Sequence, residues 1–257
     1  MIDLDEMVLL AESEEELREL MRGVEEYCEE WHLEVNVEKT KVMVTSKEGD
    51  HRAKVMYGTK ELECVKSYTY LGTVFTADGK WEEEVERRIR AGRAALGSIS
   101  KQVVWNKFVS ADVKKVIFNA MVKSRLMYGG DIWWASKKDL GRLETVQNDF
   151  IRWVTGHTRR ERVSTDKLRK EVSMASVEDN LCCKRLEWLG RLTRMGGDRL
   201  VGRVWGAQCE GKRGRGRPRW MFERQEAEDL AKGGVHRLQA LDEKEWKYLV
   251  RTIKEPQ

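Results

Sequence analysis

Two short stretches concentrate ionisable side chains in patterns that could do chemistry. Gly211-Lys212-Arg213-Gly214-Arg215-Gly216-Arg217-Pro218-Arg219-Trp220 holds five cations, three glycines and no acid. Cations at that density, spaced by glycines that keep Cβ atoms out of the way, suit an extended segment lying against phosphates or in a narrow minor groove of strong negative potential. At the other end, Asp3, Asp5 and Glu6 stand just ahead of the apolar run Met7 to Ala11. Taken alone they read as an acidic, frayed terminus. No Ser/His/Asp set and no Gly-rich phosphate loop accompanies them. The cysteines, Cys28, Cys64, Cys182, Cys183 and Cys209, are odd in number and include no C-x-x-C pair. That disfavours both a disulfide framework and a zinc knuckle.

The elements that position these groups follow from composition and period. With 36% charged residues and two prolines in 257 residues, long helices are favoured over a strand-rich sandwich. No apolar run approaches the roughly 20 residues that span a bilayer, and no signal peptide opens the chain. The expectation is a soluble intracellular protein, nuclear or cytoplasmic, with no membrane partner and no small-molecule substrate. Residues 1–60 carry 8 Lys and Arg against 16 Asp and Glu, whereas the remainder carries 40 against 28. Such asymmetry points to a polyanionic partner for the basic part.

Ser13, with Glu16 three residues on, predicts a helix start, and Leu17, Leu20, Met21, Val24, Cys28 and Trp31 follow as one apolar stripe. Short strands are predicted over Lys41 to Thr45, over Ala53 to Tyr57 and Leu62 to Val65 around a turn at Gly58-Thr59, and over Tyr68 to Thr76. Gly72 inside that last run fits a bulge or the close approach of another backbone. From Lys80 the period becomes helical. Val85, Ile89, Leu96, Ile99 and Val103 make an apolar face, with Arg87, Arg88, Arg90 and Arg93 on the opposite one beside Glu82, Glu83, Glu84 and Glu86. A second helix near Ser110 presents Val113, Val116, Ile117, Ala120, Met121 and Tyr128. A third presents Leu140, Leu143, Val146, Phe150, Ile151 and Val154. A helical hairpin is expected from Ser176 to Met195, then helices at Trp220 to Ala231 and from Asp242. Trp133, Trp134 and Trp153 read as core, as tryptophans usually do.

In this order, Asp3-Leu4-Asp5-Glu6 before a short apolar strand, an acidic helix, Asn36 and Lys39-Thr40, Tyr70-Leu71-Gly72 and the Trp-bearing turn before Leu143-Glu144 resemble the reverse transcriptase of non-LTR (LINE-type) retrotransposons. The resemblance covers nearly the whole chain and is densest over residues 5–76 and 113–155. It implies an α+β fold: a small antiparallel sheet with one helix, the remnant of a polymerase palm, followed by a mostly helical thumb and connector. The implied divisions are a partial palm at 1–79, thumb and connector at 80–156, a basic helical region at 157–210, a basic linker at 211–219 and C-terminal helices at 220–257. By the same resemblance Lys39, Tyr70, Leu71, Gly72, Arg87 and Arg90 contact nucleic acid, RNA or DNA, and an Arg-Gly-Arg-Pro-Arg link precedes a Trp-bearing helix.

The complete family enzyme is an RNA-directed DNA polymerase whose carboxylates hold two Mg²⁺ ions across an in-line displacement. Asp5 stands at the first position of its acidic turn. Glu6 replaces the second Asp with a longer side chain, and the upstream carboxylate has no counterpart here. Mg²⁺ demands near-ideal octahedral geometry. The expectation is therefore a fragment or decayed copy without polymerase activity, with no cofactor needed by this chain alone and Asp5 a metal ligand only within a complete palm. Two other readings stay open. Lys212, Arg213, Arg215, Arg217 and Arg219 contain the Arg-Gly-Arg-Pro core of an AT-hook, so the chain could be a domesticated DNA-binding module. It could also be a helical interaction protein without a nucleic-acid role.

Overall fold

The computed structural model describes residues 7–45, 53–206 and 222–253. They fall into two compact units, Met1–Glu84 and Val85–Gln257. The class is α+β with helix predominating.

In the first unit, helix α1 (Glu14–Glu30) begins where the Ser13 hydroxyl accepts the Glu16 N–H at 3.1 Å. The Glu16 carboxylate reaches back to the Glu12 N–H at 2.7 Å, one residue further than a reciprocal box requires. Glu14, Glu15 and Glu16 in the first turn suit the positive end of the helix dipole. Met21 and Cys28 are its buried residues, while Leu20 and Trp31 of the expected stripe lie exposed. Met21 packs with Val42, Val55 and Leu62 to form this unit's core.

Among the described residues the expected antiparallel sheet is three two-stranded pieces. Strand β1 (Lys41–Val42) pairs in parallel with β4 (Glu63–Cys64), a register that sets the Lys41 ammonium 2.6 Å from the Glu63 carboxylate. Between them β2 (Met56–Tyr57) and β3 (Lys60–Glu61) form a hairpin around Gly58 at φ 55°. Strands β5 (Ser67–Tyr70) and β6 (Thr73–Thr76) make the longest pairing, closed by Tyr70 opposite Thr73. The run expected as one strand with a bulge at Gly72 is thus a hairpin. Leu71 at φ 45° and Gly72 at φ 75° are its two turn residues, the signature of a type I′ turn, whose twist matches that of paired strands. Glu84, expected on a solvated face, is fully buried, and its carboxylate accepts the Val74 N–H at 2.9 Å.

The second unit is helical. Helix α2 (Glu82–Ile99) runs into a π-helical turn, Ser100–Val104. Val85, Ile89, Leu96 and Ile99 are buried as expected, but the wider turn rotates the stripe by one residue, so Val104 is buried instead of Val103. Helix α3 (Ala111–Phe118) continues through a second π turn, Asn119–Lys123, into α4 (Ser124–Leu126). Its expected stripe is also displaced. Val113, Val116 and Met121 are exposed, and Phe118, Val122, Leu126 and Met127 are inside. Phe118 decides this register by stacking on Phe150 with ring centroids 4.2 Å apart.

Phe150 belongs to α5 (Lys137–Thr155), which Ser136 caps and Gly156 ends in the left-handed conformation at φ 73°. The hairpin expected over 176–195 is one helix, α7 (Val177–Arg194), preceded by α6 (Thr165–Val172). Helices α8 (Leu200–Gly206), α9 (Phe222–Gly233) and α10 (Glu243–Ile253) complete the described residues. Cys182, Cys183, Leu186, Leu189, Ala240, Trp246 and Val250 make a core, in which the Trp246 indole N–H donates to the Leu186 carbonyl at 2.9 Å. Each such large side chain taken out of water contributes about 1.5–3 kcal/mol. Gly190 is where Trp246 crosses α7, since a Cβ there would lie 2.4 Å from the indole ring.

Candidate nucleic-acid interface

Lys39 owes its position to Asn36. The Asn36 side-chain oxygen and carbonyl both accept the Lys39 N–H at 3.1 Å, and the Thr40 hydroxyl donates to the same carbonyl at 2.9 Å. This turn leaves the Lys39 side chain exposed. The Tyr68 hydroxyl donates to the Lys39 carbonyl at 3.4 Å, so the β5–β6 hairpin is tied to the Lys39 turn. Tyr68, not singled out from the sequence, is therefore the residue that joins Lys39 to the Tyr70-Leu71-Gly72 segment. Three residues further on, about 10 Å away at the usual strand rise, the hairpin tip presents Leu71, 61% exposed. A non-glycine residue at positive φ costs about 1–2 kcal/mol.

Beyond that tip, Asp78 fixes the chain's exit. Its carboxylate accepts the Thr76 hydroxyl at 2.8 Å and the Lys80 N–H at 3.1 Å and lies 2.8 Å from the Lys80 ammonium. Lys80 foremost, and then Thr76, hold its pKa down at about 2.

In the second unit, Arg87 is half-buried and Arg90 exposed on α2. Arg88, expected on the same outward face, is buried, and its guanidinium sits 4.8 Å from the centroid of the Tyr128 ring. It braces the fold rather than facing solvent. Trp133 is core as expected and donates its indole N–H to the Tyr128 carbonyl at 2.8 Å. Trp153 is not: it is 38% exposed.

Leu143-Glu144 lies inside α5, which begins at Lys137. Leu143 is fully buried, and one Glu144 oxygen accepts the Val177 and Glu178 N–H groups at 2.7 and 3.3 Å, capping α7, while the other pairs with Arg169. Burial pushes the Glu144 carboxyl above the ordinary glutamate range against the pull of those partners. This pair of residues holds two helices together. Burial likewise pushes the Cys182 thiol well above its ordinary value, which makes it a packing group and not a nucleophile.

Asp5, Glu6, Lys212, Arg213, Arg215, Arg217 and Arg219 lie outside the described residues. Among the described residues no group of three or more His, Cys, Asp or Glu side chains is gathered as a metal site would need. None of the described helices is long and apolar enough to cross a membrane.

The chain is similar to an uncharacterized transposon-derived protein of Caenorhabditis elegans, F52C9.6. The two are 29% identical over 198 residues, covering 74% of this chain and 70% of that protein. The similarity supports a transposon origin. No family model and no solved structure matches the chain.

Proposed function

We propose that this is a reverse transcriptase-like protein of LINE-type retrotransposon origin that binds RNA or DNA and, as an isolated chain, does not polymerise. The observation that carries the reading is the β5–β6 hairpin. Its tip holds an exposed leucine in the left-handed region, and a tyrosine hydroxyl ties it to the turn that exposes Lys39. Strain kept at a solvent-facing tip fits a residue selected for contact better than a plain turn, where Asn-Gly would cost nothing. The transposon-derived relative supports the ancestry, and the order of the sequence motifs supports the LINE class. The cationic linker and Arg90 contribute phosphate contacts, which position a duplex without reading it.

Without polymerisation the chain needs no Mg²⁺ of its own. Glu6 in place of a second aspartate supports that part of the reading. The test is fluorescence anisotropy with a labelled RNA–DNA hybrid across a salt series. Replacing Lys212, Arg213, Arg215, Arg217 and Arg219 with Gln should flatten the log–log salt slope by about four to five units, and Lys39→Gln by about one more. An unchanged slope refutes binding through these residues, and primer extension that Asp5→Ala abolishes refutes the loss of polymerase activity. The Arg215-Gly216-Arg217-Pro218 core favours a second reading, an AT-hook module, which predicts a preference for A·T-rich over G·C-rich duplex.

A further inference from the structure

Three aromatic rings of the second unit are exposed among cations, and packing does not account for their exposure. Trp105 closes the π turn after α2 and is 54% exposed. Its ring centroid lies 5.6 Å from that of Trp153 in the last turn of α5, the two rings standing edge to face. Phe108, only three residues past Trp105, is 99% exposed. Asn106 holds the loop that presents it, donating its side-chain amide to the Gln102 carbonyl at 3.3 Å and accepting the Phe108 N–H at 2.9 Å. A phenyl ring left wholly in water contributes nothing to the fold.

The adjoining stretches are rich in cations. Lys101 and Lys107 are exposed on a stretch, 99–110, that contains no acid. Beside Trp153, Arg152 donates to the Thr158 and Val163 carbonyls at 3.3 and 3.0 Å, which folds the following turn back against the end of α5. That turn exposes Arg159, Arg160 and Arg162. Two acids beside that turn are already engaged. Asp149 pairs with Arg159 at 2.5 Å, and Glu161 accepts the Thr158 N–H and hydroxyl and lies 3.2 Å from His157 Nδ1.

We propose that Trp105, Phe108 and Trp153 are a stacking platform for the unpaired bases of a single-stranded nucleic acid, whose phosphates are held by Lys101, Lys107 and the arginines of the 159–162 turn. Aromatic faces accept any base, and interleaved cations track the backbone between them. A duplex hides the base faces that such rings bind. A second copy of this chain would set cations against cations, which disfavours association.

The proposal rests on the nucleic-acid reading above and adds its location and the strandedness of the ligand. The test uses the full chain, fluorescein-labelled dT20 and an abasic strand of equal length. Phe108→Ala should weaken dT20 binding about 5- to 150-fold for each base it stacks while leaving the abasic strand, a duplex and the salt slope unaffected. Lys101→Gln with Lys107→Gln should instead lower the single-strand slope by about 1.4 units. Because the ring is solvated, Phe108→Ala should melt like the parent protein, a control read by circular dichroism. Equal affinity for dT20 and the abasic strand overturns the platform, as does unchanged dT20 binding by both Phe108→Ala and Trp105→Ala. It also fails if Phe108→Ala only converts a dimer to a monomer, since the surface would then be an interface between copies. Salt-sensitive duplex binding alongside any of these results leaves the nucleic-acid reading standing. Absence of binding to every strand at low salt removes both.

Discussion

Leu71 and Asp78 bracket the β6 strand and do opposite things to stability. Leu71 sits at φ 45° with most of its side chain in water, so its strain is repaid by little burial. Leu71→Gly should raise the free energy of unfolding by about 0.5–1 kcal/mol, the left-handed penalty less the extra entropy glycine has when unfolded. A urea midpoint that falls instead would show that the leucine side chain holds the hairpin. Under the proposed function the same variant should also bind the hybrid duplex less well, because glycine lacks the side chain that would make the contact. Asp78 is held by hydrogen bonds that favour its charged form, so its folded pKa is depressed. Its stabilising effect is complete above the ordinary carboxylate value and is lost as pH falls through about 2. A carboxyl titration followed by NMR should give a midpoint near 2 that rises when Lys80 is changed to Ala. A midpoint near 4 in the parent protein would contradict the geometry.

Helix α7 is the element on which the second unit is assembled. Its N-terminus is capped by Glu144 from α5, Trp246 of α10 crosses it at Gly190, and Arg185 makes a two-pronged pair, at 2.6 and 2.8 Å, with Asp229 of α9. Asp229 is buried and also accepts from Gln225 at 3.0 Å. Arg185→Ala therefore strands a buried carboxylate and should cost about 3–5 kcal/mol. Arg185→Met combined with Asp229→Leu should restore most of that stability, as thermal melts would show. If the double variant is no better than the single one, the pair does more than neutralise itself. The inward face of α5 was legible from period alone, because it is a regular helix over the stretch that decides its stripe. The face of α3 was not. Its apolar residues are numerous enough to suggest several stripes, and the choice of Phe118, Val122 and Leu126 was made by stacking on Phe150 and by the π turn that follows.

At the scale of the whole molecule, the two units should not open together. The first has a core of Met21, Val42, Val55 and Leu62 and strands of two to four residues, whereas the second buries several long helices. Native-state hydrogen exchange should show β5–β6 amides opening at a lower free energy than those in the middle of α7. Equal values for both would mean that the chain unfolds as one cooperative body. The sequence by itself determined the positions of the long helices, the helix starts at Ser13, Ser110 and Ser176, and the charge asymmetry, because these depend on neighbours a few residues apart, and it implied the α+β class through its resemblance to a known family. It also marked Lys39 and Tyr70-Leu71-Gly72 as a group through their resemblance to a known order of motifs. Only the tertiary structure decided that Gly72 lies in a hairpin turn, that Tyr68 joins this hairpin to Lys39, and that Arg88 and Glu84 lie inside. It also decided that Trp153 meets Trp105 at the surface. Those outcomes depend on which distant side chain arrives alongside, and local period carries no information about that.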